Sequence, residues 1–410
     1  MAWRARRRHA DQRSWKQEFG PLAGIIAAMD TPGKLLHFLR SREAAMIRLL
    51  GQLVRIESSS FDKPGVDRVV ARLAAEWRRR GARVKRLRNA VRGDILRAEL
   101  WKDQARPAGQ ILVLGHTDTV YERGTLAGMP FRVSGGRACG PATLDMKAGL
   151  VLALHAVDAL RHLHVLPKRR VVFLWTSDEE IGSECARRVI EREARRTHAV
   201  LVLEPGTGLD GRLKTARKGI GGFDLLVTGR AAHAGVNPQA GVNAVHELAL
   251  QIAHVVDFND PRRGITVNAD VIAGGTRTNV IAERARAAVD VRCVRAADMK
   301  RLERKFRGLR PILPGARLEV RGGMNRFPME RRVAAELFAR AKKLGGQMGL
   351  RLEESATGGG SDGNLTAELG IPTLDGMGGV GAGAHTPGEY VITKFLPERA
   401  ALLASMLAEL

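Results

Sequence analysis

One stretch of the sequence, residues 111–120, carries an apolar run directly into side chains that can do chemistry. Its letters are ILVLGHTDTV, and a short continuous apolar run of this kind predicts a strand buried on both faces, ending at His116 and Asp118. Side chains two apart on a strand point to the same face, so the Asp118 carboxylate can accept the second ring N–H of a metal-binding His116. On this stretch alone, a His and an Asp that serve as a turn and a helix cap are an equally good interpretation.

Four carboxylates and a second imidazole occupy comparable places, before a helix, after apolar strands or in a Gly-rich loop: Asp145, Glu179, Glu180, Glu204 and His385. A mixed set of imidazoles and carboxylates without thiolates suits Zn²⁺, Co²⁺ or Mn²⁺ with a position open for water. Two such ions about 3.5–4 Å apart can share a bridging carboxylate. A further carboxylate can act as general base. The adjacent pair Glu179-Glu180 offers both roles, because neighbouring residues in an extended segment point in opposite directions.

Taken singly, three of these residues also have an ordinary interpretation. Asp145 precedes a predicted helix, where an acidic side chain is normally an N-cap. Glu204 stands before a proline, as a turn residue can, and His385 can be a solvated loop histidine. The set as a whole favours a metal site over these alternatives.

The elements that must position these side chains alternate between strands and helices. Apolar strands predicted at 111–116, 171–175 and 199–203 each end in acidic or imidazole groups, and helices lie between them. The pattern predicts an α/β domain with a mostly parallel sheet, in which sites form at the carboxyl ends of the strands. Residues 124–141 are Gly-rich and are predicted to be a loop.

The pattern of elements changes near Lys214. Residues 214–322 are predicted to follow the order β-α-β-β-α-β, which is typical of a ferredoxin-like α+β domain. A chain of 410 residues is longer than one core usually supports, so two domains are expected. We predict a basic N-terminal extension over 1–40 and a larger domain over 41–213 and 323–410, with the smaller domain inserted at 214–322.

The composition is strongly basic, with a formal net charge of +24. A polyanion partner such as nucleic acid or an anionic membrane is one interpretation. However, the arginines are spread over nearly every segment, and the sequence has no RNP-like aromatic motif and no zinc-finger spacing. A general bias toward arginine over the whole surface is therefore favoured.

Three features bear on the compartment. No apolar run is long enough to span a membrane, and no apolar segment follows the basic N-terminus as in a secretory signal. The three cysteines, Cys139, Cys185 and Cys293, are scattered, which fits a reducing environment and no disulfide framework. A cytoplasmic location is expected.

From about residue 45 to its end, the chain resembles the metallopeptidase M20 family. The motifs that carry the resemblance occur in the family order and are GHTDTVYERGTLAGMPF, GPATLDMKAG, TSDEEIGS, LVLEP, AAHAGVNPQAGVNA, GGGSDGN and AHTPGEYV. Within the family, the likeness is to glutamate carboxypeptidases of the carboxypeptidase G type. One departure is Met146, which follows Asp145 where close relatives often carry an aspartate.

The resemblance implies a catalytic domain with two zinc ions per chain, for which Co²⁺ or Mn²⁺ can substitute, interrupted by a lid domain that also forms a homodimer. It implies that His116 and Glu204 hold one ion and that Glu180 and His385 hold the other. It further implies three roles around them: a bridging Asp145, a general base Glu179 and an Asp118 that orients His116.

The resemblance also assigns residues to substrate binding. His233 of the lid would reach the partner subunit's site and stabilise the oxyanion. Four residues match positions that hold the C-terminal carboxylate of the substrate, the last of them by a loose alignment: Arg292, Asn279, Gly360 and Arg326.

The function implied is hydrolysis of the amide bond to a C-terminal amino acid, in a small peptide or an N-acyl amino acid. The alternative within the family is an N-acyl amino acid deacetylase or a dipeptidase. A more distant alternative is a basic nucleic-acid-binding protein that keeps the fold without catalysis. That alternative predicts loss of a ligand or of the general base, and every one of them is present, so we expect no specific nucleic acid and no membrane as partner.

Overall fold

The larger domain is built on a mixed, mostly parallel sheet. The computed structural model describes residues 29–102 and 109–410. Within these ranges the sheet has the order β1-β2-β6-β3-β7-β14, in which β6, β3, β7 and β14 are parallel and β1 and β2 form an antiparallel edge. The strands are β1 (Arg83–Leu87), β2 (Ile95–Leu100), β3 (Gln110–His116), β6 (Arg170–Thr176), β7 (Thr197–Val202) and β14 (Thr373–Leu374). The predicted α/β class is confirmed.

Helices cover both faces of this sheet, which explains why its strands are apolar on both sides. On β3, Ile111 and Val113 face one layer while Leu112 and Leu114 face the other. The larger layer contains α1 (Thr31–Arg40), α2 (Glu43–Val54), α3 (Lys63–Arg79), α5 (Ala148–His162), α9 (Arg331–Gln347) and α11 (Phe395–Glu409). The opposite layer contains α6 (Arg187–Ala194) and α10 (Asp362–Glu368).

The boundary predicted for the N-terminal extension at residue 40 is wrong. Residues 31–40 form α1, which is capped by the Asp30 side chain and buries Leu35, Leu36, Phe38 and Leu39 in the main core. The apolar doublets at 35–36 and 38–39 give this helix a face that must pack against α5 and α11. Residues 1–28 of the predicted extension lie outside the described residues.

This packing gives a test of the corrected boundary. Because Leu39 is fully buried, Leu39→Ala is expected to lower the free energy of unfolding by about 2–5 kcal/mol. Arg40→Ala, at the exposed end of the same helix, is the control and should change it by about 0.5 kcal/mol or less. Denaturant unfolding of both variants measures the difference. Equal, small effects would mean that α1 is not part of the cooperative core.

The inserted domain is ferredoxin-like, as predicted. Among the described residues it has an antiparallel sheet in the order β10-β11-β9-β12, with two helices packed on one face. Its elements are β9 (Gly219–Thr228), α7 (Ala244–Val256), β10 (Thr266–Gly274), β11 (Arg284–Cys293), α8 (Ala296–Arg307) and β12 (Arg317–Arg326). The sheet therefore runs from Gly219 to Arg326, slightly displaced from the predicted 214–322.

Two small sheets join the parts of the larger domain that the insertion separates. β8 (Leu213–Arg217) pairs in parallel with β13 (Glu354–Thr357). The segment predicted as a loop at 124–141 contains α4 (Thr125–Gly128), β4 (Arg132–Ser134) and β5 (Arg137–Cys139). β5 pairs with β16 (Tyr390–Ile392), which pairs with β15 (Gly381–Ala382). Strands of two or three residues carry too little alternation to be recognised from sequence.

No helix within the described ranges combines the length and the apolar character needed to cross a membrane.

Candidate metal centre

His116 lies at the carboxyl end of β3 with its two ring nitrogens in different surroundings. Its Nε2 is 3.3 Å from Asp145 Oδ1 and 3.4 Å from Glu204 Oε1. Its Nδ1 is 3.0 Å from the main-chain oxygen of Asp118 and 3.5 Å from the Asp118 carboxylate. Both the carbonyl and the carboxylate of Asp118 therefore lie on the Nδ1 side of the ring, and the carbonyl is the closer acceptor. A proton held on Nδ1 leaves the Nε2 lone pair directed at the two carboxylates.

The Asp118 carboxylate links His116 to the next strand end. It accepts hydrogen bonds from the Ser60 hydroxyl at 2.8 Å and from the main-chain N–H groups of Glu179 and Glu180 at 3.3 and 3.2 Å. Glu179 and Glu180 lie in a short helical turn after β6. The buried carboxylate of Asp118 therefore fixes the position of His116, at the end of β3, relative to this acidic pair. Burial raises the pKa of Asp118, but its bonds with His116 hold it below its usual value.

His385 faces the other side of Asp145. Its Nε2 is 3.3 Å from Asp145 Oδ2 and 3.2 Å from Glu180 Oε2. The two oxygens of Asp145 thus point at two different imidazoles, and each imidazole has a second carboxylate beside it. Asp145 is not the N-cap of α5. The N-cap position is occupied by Lys147, and the helix has no side-chain capping hydrogen bond.

The donor set fits metal cations. Among the described residues, two trios can each place their ligand atoms within 4.8 Å of one another: His116 with Glu179 and Glu204, and His116 with Asp145 and Glu180. Three of the atoms that face inward are buried and have no hydrogen-bond partner: His116 Nε2, Asp145 Oδ1 and Glu180 Oε1. Buried polar atoms are normally paired, so orphaned atoms from three neighbouring residues indicate a site for cations.

The pKa values of the clustered side chains also indicate that positive charge is stabilised here. Bonds with Asp145 and Glu180 raise the pKa of His385 to about 10. Burial lowers the pKa of His116, but Asp118, Asp145 and Glu204 bring it well above its ordinary value. Burial also raises the pKa of Glu180, although His385 opposes this. The carboxylates outnumber the imidazoles, and a divalent cation balances such a cluster better than protons do.

Glu179 differs from Glu180 in its surroundings. Its Oε1 is 3.1 Å from Nη2 of Arg326, and both side chains are buried. Burial raises the pKa of Glu179 well above its usual value, despite the opposing Arg326 charge. A buried carboxylate with a raised pKa beside candidate metal ligands is a candidate for a general base.

A residue that holds a substrate carboxylate is expected to be open to the cleft, but the Arg326 side chain is buried. It is 5% exposed, at the end of β12, and Nη2 lies 2.7 Å from Ser183 Oγ and 3.2 Å from Asp362 Oδ1 in addition to Glu179. Asp362 itself accepts hydrogen bonds from the hydroxyls of Ser183 and Thr176. In this conformation Arg326 is a partner of Glu179.

The other predicted substrate residues divide into two groups. Arg292 pairs with Asp290 at 2.9 Å and lies 3.4 Å from the carbonyl oxygen of Gly358 through Nη1, next to the Gly-rich loop that contains Gly360. A Cβ on Gly360 would lie 2.5 Å from Ile220 Cδ1, so a larger residue here would have to displace the end of the Ile220 side chain. The exposed Asn279 lies beside the His233 loop, where its carbonyl accepts the N–H of Ala234.

His233 lies outside the cluster of its own chain. It is exposed on the lid, and its Nδ1 accepts the N–H groups of Gly235 and Val236 at 3.2 and 3.1 Å. Because Nδ1 accepts, the neutral ring carries its proton on Nε2, which is therefore a donor.

Sequence reasoning missed two buried residues at the site. Arg217, at the end of β8, bonds both oxygens of Asp375 at 2.7 and 3.1 Å, and its Nη2 lies 3.5 Å from Glu204 Oε2. Its Nη1 donates to the carbonyl oxygens of Gly359 and Gly360, both at 3.1 Å. The second missed residue, Glu389, lies in the AHTPGEYV motif four positions after His385, and that position was the available signal.

Similarity to solved structures shows which proteins share the fold. The fold matches aminopeptidase PepT from Bacillus cereus with a TM-score of 0.72 and 21% identity, over 90% of this chain and 98% of that one. It also matches Bacillus subtilis YXEP protein, described as a dinuclear metal-binding peptidase, with a TM-score of 0.64 and 17% identity, over 90% of this chain and 98% of that one. The chain has the fold of these peptidases.

Sequence similarity gives the family. Residues 112–409 match Peptidase family M20/M25/M40. The chain is also 31% identical over 401 residues to carboxypeptidase G2 of Pseudomonas sp. (strain RS-16), and the match covers 95% of each chain. The protein belongs to the M20 family of metallopeptidases. The family predicted from the sequence motifs and the predicted enzyme class are both confirmed.

Proposed function

We propose that the protein is a dinuclear zinc hydrolase that cleaves the amide bond to a C-terminal amino acid. The observation that carries this proposal is the arrangement of Asp145, whose two oxygens face His116 and His385, each with a further carboxylate beside it. The similarity to carboxypeptidase G2 supports the choice of a carboxypeptidase within the family.

The residues then have the following roles. His116 and Glu204 would hold one zinc ion and Glu180 and His385 the other, and the two carboxylate oxygens of Asp145 are placed to serve both. Zinc ions bound here would polarise the scissile carbonyl and lower the pKa of water. Glu179 accepts a proton from the attacking water and returns it to the leaving amine. Asp118 keeps the His116 ring in the orientation that presents Nε2.

Binding of the C-terminal carboxylate is assigned to the lid side of the cleft. Arg292 lies against the Gly-rich loop at Gly358 and supplies a positive charge there. Gly360 allows that loop to pack closely against Ile220. Asn279 and His233 lie on two neighbouring exposed loops of the lid, and we assign them to the site of a partner subunit. Arg326 would reach a substrate only by leaving its contacts with Glu179 and Asp362.

A homodimer through the lid is supported by an open sheet edge. β10 is at the edge of the lid sheet, and Val271 and Ile272 on it are 59% and 61% exposed. An exposed apolar edge strand readily pairs with another chain. All three cysteines are free, which supports the proposed reducing, cytoplasmic environment.

Metal analysis tests the proposal directly. Purified, zinc-supplemented protein should contain close to two zinc ions per chain by mass spectrometry of the metal. Chelation should abolish hydrolysis, and added Zn²⁺ or Co²⁺ should restore it. A folded, zinc-supplemented protein with no bound metal would overturn the proposal.

A substrate panel then decides between related activities. It should contain N-acyl and peptidyl amino acids with varied C-terminal residues, matched N-acetyl amino acids, and dipeptides with a free amino group. Hydrolysis of bulky N-acyl glutamates is expected. Activity only on N-acetyl amino acids or only on dipeptides would favour a deacetylase or a dipeptidase of the same family.

A further inference from the structure

Glu389 is a fully buried carboxylate in the loop that follows His385. No catalytic or substrate-binding role is assigned to it above. It lies beneath the segment 140–145, which carries Asp145 into the metal centre. A buried charge is costly unless hydrogen bonds surround it, so the partners of Glu389 show what it holds.

Those partners belong almost entirely to the Asp145 segment. Oε1 accepts the main-chain N–H groups of Leu144 at 2.7 Å and Asp145 at 2.9 Å. Oε2 accepts the N–H of Ala142 at 3.1 Å and lies 2.6 Å from the Tyr121 hydroxyl. Since an ionised carboxylate accepts about four hydrogen bonds, these four donors satisfy its capacity.

The backbone of both ligand loops needs such support. Ala142 and His385 have φ angles of +56° and +64°, in the left-handed region that residues other than glycine rarely adopt. Conformations of this kind are unfavourable and persist only where their surroundings impose them. The Ala142 N–H is held by the Glu389 side chain.

The main chain of Glu389 completes the connection. Its carbonyl oxygen accepts the N–H of Gly140 at 3.3 Å, and its own N–H donates to the carbonyl oxygen of Thr386, next to His385, at 3.2 Å. A single residue therefore joins two loops: its side chain and its carbonyl oxygen bind the segment that leads to Asp145, and its main-chain N–H binds the loop of His385.

We propose that Glu389 is a positioning residue that sets the distance between Asp145 and His385 and thereby the affinity of the centre for its metal ions. This inference rests on the dinuclear site proposed above. Glu389 contacts neither metal nor substrate in this role, and it acts through the backbone of one ligand and the loop of the other.

Glu389→Gln is the most direct test, because the side chain keeps its size. The amide oxygen can still accept two of the four hydrogen bonds, but the amide NH₂ then faces donors instead of acceptors. Changes in groups that support metal ligands typically weaken metal affinity about 10–100-fold. We expect a loss of this size for Zn²⁺ and Co²⁺ in folded protein, measured by competition with a chromophoric chelator.

The lid contains a matched control. Glu247 is also fully buried, and its carboxylate accepts the N–H groups of Ile312 and Leu313 at 3.0 and 2.7 Å and the Gln251 amide at 2.8 Å. Glu247→Gln loses the same kind of hydrogen bonds far from any ligand in the sequence and in another domain. Its stability should fall, while its metal affinity should equal that of the wild type.

Tyr121→Phe gives a graded variant, since it removes one of the four donors and the side chain is partly exposed. Its metal affinity should lie between that of the wild type and that of Glu389→Gln. If Glu389→Gln fails to fold, this variant decides, and an unchanged affinity overturns the inference.

The outcomes separate this inference from the proposed function. Wild-type protein that binds no metal contradicts the dinuclear site itself. Wild-type protein that binds two ions, together with a folded Glu389→Gln variant of unchanged affinity, contradicts only the role of Glu389. Equal losses in Glu389→Gln and Glu247→Gln would show that general destabilisation, and not positioning, is responsible.

Discussion

Glu179→Gln is expected to lower kcat by about 10²–10⁴-fold, the usual contribution of general-base catalysis, without loss of metal. The amide has the shape of the carboxylate but cannot accept a proton from water. Arg326 keeps its contacts with Asp362 and Ser183 in this variant, so the local structure should remain. Steady-state kinetics and metal analysis of the same preparation measure the two effects separately.

Glu180→Gln is the paired variant, since its carboxylate lies beside His385 and not beside Arg326. We expect it to lose occupancy or affinity at one metal position as well as activity. If both variants kept their metal equally and lost activity equally, the division of roles between the two glutamates would be incorrect.

His233→Ala is expected to lower kcat by the amount that corresponds to one lost oxyanion donor, roughly 2.7–4 kcal/mol of transition-state stabilisation. The physical reason is its tautomer. Nδ1 accepts two main-chain N–H groups, which places the proton of the neutral ring on Nε2, on an exposed loop. His246→Ala, at an exposed position of α7 in the same domain, is the control and should leave kcat unchanged.

Subunit exchange tests whether His233 acts across a dimer interface. Inactive Glu179→Gln subunits are mixed with inactive His233→Ala subunits until heterodimers form. In such a heterodimer one site carries both defects and the other carries neither, so activity should return. No recovery in proven heterodimers would restrict His233 to a role within its own lid.

The candidate metal centre could be located from the sequence because its side chains stand directly after clearly predicted strands. His116, the Glu179-Glu180 pair and Glu204 follow apolar strands, and parallel strands bring their carboxyl ends to one edge of the sheet. The ferredoxin-like order of the inserted domain could also be predicted, from the succession of its strands and helices. Helix α1 was missed because its apolar residues form only two doublets, at 35–36 and 38–39, and these fall at the end of the segment taken as the N-terminal extension.

The residues that support the centre could not be found in this way. Arg217 meets Asp375, 158 positions away, and Glu389 meets the Asp145 N–H, 244 positions away. Such pairings depend on the final packing of distant segments, which local spacing does not encode. Arg326 was recognised as a basic residue of the cleft, but its pairing with Glu179 instead of solvent needed the three-dimensional structure.

The two segments that connect the domains each carry a buried arginine of the candidate site. The chain enters the lid sheet just after Arg217 and leaves it at Arg326, and each of these buried arginines touches a different carboxylate of the metal centre, Glu204 and Glu179 respectively. Each of the two segments that connect the domains therefore ends at a carboxylate of the candidate site. A displacement of the inserted domain relative to the larger one is expected to alter the surroundings of Glu204 and Glu179 together.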